Sequence, residues 1–139
     1  MNPDFEECEE WLRKARNDLV SARILLSHSA PVTDTACFHS QQAVEKTLKA
    51  FLVYFGVSFE KVHSLSYLLD MCEKQEPRIV TIRDKAERLA PYAVEVRYPG
   101  TFVEVNLAEA LDSLRDAEDV IKFVREILPQ NLFKNIWDS

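Results

Sequence analysis

The sequence predicts an all-α fold: an antiparallel helical bundle of about five helices, a four-helix up-and-down core with one short helix added. Three observations carry this. Only 2 of the 139 residues are glycine, too few for the turns of a many-stranded sandwich or barrel. Apolar residues recur at spacings of three and four over long stretches, as on a helix that buries one face. The 6 prolines fall between those stretches, where a missing N–H costs little. No linker, repeat or low-complexity segment interrupts the chain, so residues 1–139 read as a single domain.

The first helix runs from about Pro3 to Ser29, with Asn2 as its cap. Phe5, Cys8, Leu12, Ala15, Leu19, Ala22 and Leu26 form its stripe. The second runs from Thr33 or Asp34 to Phe55 and closes on Gly56. Its first half mixes small and polar residues, whereas Ala50 to Phe55 is apolar on every side and needs cover from more than one direction. The third, from about Ser64 to Gln75, presents Leu65, Leu68, Leu69 and Cys72. The fourth starts near Pro77, presents Ile79, Ile82, Ala86 and Leu89, and stops by Ala90, because Pro91 disfavours helix in the residue before it. Residues 92–105 lose helical period and read as an ordered loop. The fifth helix starts at Asn106, with Glu109 in capping-box spacing, and carries Leu107, Ala110, Leu111, Leu114, Ala117, Ile121, Val124 and Leu128 before Pro129. Leu132, Phe133, Ile136 and Trp137 then suit a docked short helix. That tail and the apolar end of the second helix predict a surface for a homodimer.

Net charge is −6, from 17 Lys and Arg against 23 Asp and Glu. Such a chain does not grip extended duplex DNA with its whole surface, although a local basic site remains open to it. No glycine-rich loop is present to wrap a phosphate, which excludes P-loop and dinucleotide-binding readings. The 3 cysteines, Cys8, Cys37 and Cys72, are scattered, as expected for reduced thiols in a cytoplasmic protein. Residues 1–14 are mostly acidic and polar, so no secretory leader is expected. The apolar run from Ala50 to Val57 is too short to cross a membrane.

Three groups of residues are placed to carry chemistry. Gln41, Glu45 and Lys49 form one stripe of the second helix, with Gln42 and Lys46 beside it. Glu45 and Lys49 stand in the favourable order for an (i, i+4) ion pair. One reading is a solvated face with a surface pair; the other is a binding surface, since paired glutamines are unusual in a helix that then turns wholly apolar. His63, at the entry to the third helix, suits a phosphate or base contact near a helix N-terminus, or a hydrogen bond to neighbouring backbone. Glu60-x-x-His63 has the spacing of half a di-metal carboxylate site, but the other half is absent from the sequence. No metal and no cofactor are therefore expected. Arg97 and Tyr98, before Pro99 and Gly100, lie between helices; Arg can hold a phosphate in two parallel bonds, and Tyr can stack on a base. The same two side chains also suit an ion pair and a packed ring that fasten the loop.

These segments, Phe38 to Ala50, Val62 to Leu65 and Val96 to Gly100, together with the opening Trp11, Ala15, Asp18, Leu19, Ala22 pattern, resemble the HEPN domain. The resemblance runs from Trp11 to about Leu128. It implies an all-α bundle of about five helices that dimerises and binds nucleotides. Many prokaryotic members act beside a minimal nucleotidyltransferase in toxin–antitoxin or related pairs. A ligand site of Gln41, Gln42, Lys46, Lys49, His63, Arg97 and Tyr98 follows from the matched motifs. Many members are metal-independent ribonucleases with an Arg, four to six residues and a His near the start of a late helix. Here no His follows Arg97; Arg23 and His28 have that spacing, but in the first helix.

Three functions follow as expectations. The leading one is a module that binds a nucleotide or a short RNA segment, paired with a nucleotidyltransferase. The alternatives are a ribonuclease toxin with an atypical site of Arg97 and His63, and a structural dimerisation or adaptor bundle.

Overall fold

The computed structural model describes residues 4–62, 64–93 and 104–137. Within them lie six α-helices: α1 Phe5–Ser27, α2 Thr33–Tyr54, α3 Leu65–Gln75, α4 Val80–Glu87, α5 Leu107–Ile127 and α6 Gln130–Trp137. Single 3-10 turns at Pro77–Ile79 and Ala90–Tyr92 precede and follow α4. No strand occurs among the described residues. The all-α expectation holds, with the tail as a sixth helix and a 3-10 turn through Pro91.

Local chemistry fixes the helix ends. Asp4, and not Asn2, caps α1: its carboxylate accepts from the Glu7 amide at 3.0 Å. Residues 1–3 lie outside the described part. Ser64 and Asn106 cap α3 and α5 in the same way, through the amides of Tyr67 and Glu109. At the end of α2, the amides of Gly56 and Val57 reach back to the carbonyls of Val53 and Leu52 at 3.0 and 2.9 Å. This is a Schellman closure, and Gly56 takes the left-handed backbone it requires, φ 70°.

Helices α1 and α2 share the most extensive contact, which runs antiparallel: Cys8 Sγ reaches the Ala50 carbonyl at 3.5 Å, while Asp18 reaches back to His39 and Lys46. Small residues (Ala15 and Ala22 against Ala36, Ser40, Ala43 and Thr47) are buried on the two helices and allow close approach. The Ser40 hydroxyl is buried here and finds no hydrogen-bond partner among the described residues. The apolar end of α2 is covered as expected: Phe51 and Leu52 share one core with Leu12, Leu68, Leu69, Val120, Val124 and Phe133. A second, smaller cluster joins Leu26 and Cys37 to Val105 and Ala110.

Two expectations shift. Leu107 and Leu111 of α5 are exposed, whereas Ser113 and Val120 are buried. Ala110 and Ala117 bring α5 in on its small side chains, which leaves the bulkier leucines at the edge of the arc. The tail does not leave its apolar residues open either. Leu132, Phe133 and Ile136 are buried, because α6 packs on α1 and α5 and completes the bundle.

Candidate functional site

One flank of the α1–α2 pair gathers polar side chains that an apolar bundle does not need. Asp18, which is almost fully buried on α1, is its anchor. One carboxylate oxygen lies 2.8 Å from Nδ1 of His39 and the other 2.5 Å from Nζ of Lys46. A carboxylate only accepts, so Nδ1 of His39 carries the proton and Nε2 is the ring atom left over. Among the described residues Nε2 has no hydrogen-bond partner. His39 and Lys46 are seven residues apart, two turns along α2, which puts both over the same side.

Beside this anchor runs a chain of hydrogen bonds along α2. The Gln42 amide donates to Gln41 at 2.7 Å, Gln41 donates to Glu45 at 3.4 Å, and Lys49 donates to the other Glu45 oxygen at 3.2 Å. Gln41, Glu45 and Lys49 are buried; Gln42 and Lys46 are half-buried. The Glu45–Lys49 pair therefore forms as its spacing predicts, but inside the protein and not on a solvated face. The Lys49 ammonium also stands 5.2 Å over the Trp11 ring, with Lys14 over the same ring at 5.5 Å. Lys46 and Lys49 each face a carboxylate, so this flank is balanced in charge by pairs: Asp18 with Lys46, Glu45 with Lys49.

His63, Arg97 and Tyr98 lie outside the described residues. Of the seven residues expected at a ligand site, four are placed: Gln41, Gln42, Lys46 and Lys49 share one flank. Arg23 and His28 are on α1 and at its C-cap, and Arg23 is bound to Glu118 of α5 at 2.6 Å. Among the described residues, no group of three or more His, Cys, Asp or Glu side chains could hold a metal ion. None of their helices is long and apolar enough to cross a membrane.

The HEPN domain family model matches residues 8–129, most of the chain. The chain belongs to the HEPN family. It is similar to a curated protein of Methanocaldococcus jannaschii named "Putative toxin MJ1304", with 25% identity over 134 residues, covering 86% of this chain and 87% of the relative. It is also similar to the crystal structure of ST0689, an archaeal HEPN homologue, at 27% identity and a TM-score of 0.70, covering 86% of this chain and 96% of that one. The HEPN fold thus accounts for the bundle.

Asp18 and His39 are the residues that sequence reasoning undervalued. Asp18 stood out only as one position of the opening pattern, and His39 only as one residue within the Phe38 to Ala50 segment. The usable signal was the seven-residue spacing of His39 and Lys46 opposite a lone carboxylate on an otherwise apolar edge of α1.

Proposed function

We propose that this HEPN chain binds a nucleotide or a short exposed RNA segment on the polar flank of α1 and α2, and acts in a toxin–antitoxin-type pair with a minimal nucleotidyltransferase. The observation that carries the reading is the pair of hydrogen bonds that the Asp18 carboxylate accepts from His39 and Lys46. A carboxylate almost fully buried between two helices adds little stability over an apolar residue of its size. It does hold a histidine and a lysine, both still partly open, in fixed positions. Such positioning is what a phosphate or base contact needs. Gln42, half-buried, is held by Gln41 in the same manner. In this reading Lys49 steadies the flank from within, and His63, Arg97 and Tyr98 complete the site. The toxin named among the relatives supports the two-component setting.

Calorimetry with ATP and a short RNA tests it. Lys46→Ala and Arg97→Ala should each weaken binding about ten- to a hundredfold, the loss of one charge-assisted contact. Equal binding by all three proteins, or none by the wild type at millimolar ligand, would overturn it. Co-expression with a minimal nucleotidyltransferase should give a complex that copurifies.

One observation favours a second reading, a ribonuclease toxin. His39 has Nδ1 fixed on a carboxylate and Nε2 without a hydrogen-bond partner among the described residues, the arrangement of a base that accepts a 2′-hydroxyl proton. His39 then joins Arg97 and His63 as catalytic candidates. RNA degradation lost in His39→Ala, with the fold intact, is its signature. We further propose a homodimer, supported by the half-exposed Phe5 and Phe55, which flank Tyr54 at ring distances of 6.1 and 5.1 Å. Sedimentation at micromolar concentration should give twice the 16.1 kDa of one chain.

A further inference from the structure

The other flank of α1 carries a different chemistry. Two shallow hollows lie along it, where it meets α6 and α5. The first, about 250 Å³, is lined by Arg13, Arg16 and Asn17 of α1 with Asn135 and Ile136 of α6. The second, about 180 Å³, adds Arg23, Lys122 and Arg125 over a floor that includes Leu19 and Trp137, with Glu118 its one carboxylate. Five cations and one carboxylate thus line a single track, in a chain whose acidic residues outnumber basic ones by 23 to 17.

The pairing of these cations is uneven. Arg23 is bound to Glu118 and Arg13 to Glu9. Arg16 and Lys122 have no ion-pair partner among the described residues, and Lys122 is exposed. A face that served stability alone would pair them or disperse them, because clustered like charges repel. Arg16 and Arg23 are seven residues apart, about 10 Å along α1 at the helical rise. The half-buried indole of Trp137 lines the same hollow as Arg23 of that row and Lys122 of α5. A row of cations beside an aromatic face is the pattern that holds a single strand: phosphates along the charges, a base on the ring.

We infer that the track along α1, α6 and α5 binds a short single strand of nucleic acid, its phosphates on Arg16, Arg23 and Lys122 and one base against Trp137. The track does not rest on the α1–α2 site, which lies across the apolar stripe of α1: Asp18 faces α2, while Arg23 faces α5. The surrounding acidic surface disfavours a second strand, so a duplex binds worse.

Fluorescence anisotropy with labelled twelve-residue oligo(U) and oligo(dT), against a duplex of the same length, provides the test. The double reversal Arg16→Glu with Lys122→Glu replaces one half-buried and one exposed side chain and should fold as the wild type does, checked by circular dichroism. It should weaken strand binding at least tenfold and flatten the slope of log K against log salt by roughly 1.4, at about 0.7 per contact for a single strand. Trp137→Ala should weaken binding about tenfold with the salt slope unchanged, as expected for lost stacking. ATP binding in the reversal variant should persist, which separates this track from the α1–α2 site. Affinity for oligo(U), oligo(dT) or both meets the inference. Unchanged binding in the reversal variant, no strand binding at 50 mM salt (roughly three contacts would survive it), or tighter binding of the duplex would overturn it.

Discussion

The carboxylate of Asp18 accepts the Nδ1 proton of His39 at 2.8 Å and so ties α1 to α2 across 21 residues of chain. The same carboxylate binds Lys46, so removing its charge affects two partners at once. Asp18→Asn keeps the shape but loses the charge-assisted bonds. It should destabilise the fold by about 1.5–3 kcal/mol, read as a lowered denaturation midpoint at unchanged m-value. Nitrogen NMR of His39 gives the second readout. The wild type should show one tautomer, protonated at Nδ1, and Asp18→Asn a mixture. A single unchanged tautomer in the variant would mean that Asp18 does not orient the ring.

Glu45 and Lys49 form a buried pair at 3.2 Å, and breaking it from one side leaves a charge without its partner in the interior. Glu45→Gln should therefore cost about 3–5 kcal/mol, a large share of a small domain's stability. Replacing both residues, Glu45→Met with Lys49→Leu, should cost far less or nothing. The double variant is the informative one: a loss as large as that of Glu45→Gln would show that the pair is worth more than the apolar residues that replace it.

The helices were legible because their signals are local. The α1 stripe, the Ser64 and Asn106 caps, Gly56 and the proline stops each depend on neighbours within a few residues. The α5 register was less so. Leu107 and Leu111 share the apolar arc, and only close packing through Ala110 and Ala117 decides which edge turns outward. Burial of Glu45 and Lys49 was hidden for the same reason: spacing predicts that they pair, but only the arrangement of other helices decides whether water reaches them. Asp18 with His39 is a contact between helices, and the basic track combines residues more than a hundred positions apart, Arg16 with Lys122. No window of one helix contains either.

Gly56 takes φ 70° with open space around the position of a missing side chain, nothing lying within 4 Å of it. Gly56→Ala thus meets no clash, and its cost is the left-handed backbone alone, about 1–2 kcal/mol. The midpoint of thermal unfolding should fall by several degrees with the helical spectrum unchanged. A neutral outcome would mean that the turn relaxes to another closure.

Stability should fall on the alkaline side, and the thiols should lead. Burial pushes the Cys72 thiol from the ordinary 9.0 up to about 12, and burial with the nearby Asp4 and Glu7 carboxylates pushes Cys8 to about 11. Burial, then the bond to Glu109, raises the Tyr92 hydroxyl from 10.0 to about 12. Below pH 9, folded and unfolded chains alike hold these protons, and nothing is lost. As pH rises from about 9 towards 12, the unfolded chain releases protons that the folded chain keeps, so unfolding is increasingly favoured. Urea midpoints measured from pH 8 to 11 should decline progressively. Cys72→Ala should lower the midpoint at pH 8, because it leaves a small void, yet flatten the decline above pH 9. In parallel, a disulfide reagent at pH 8 should find Cys8, Cys37 and Cys72 unreactive in the folded protein, where all three are buried, and reactive in denaturant. Fast reaction of Cys72 in the native state would show that the core around it opens far more readily than its packing against α2 implies.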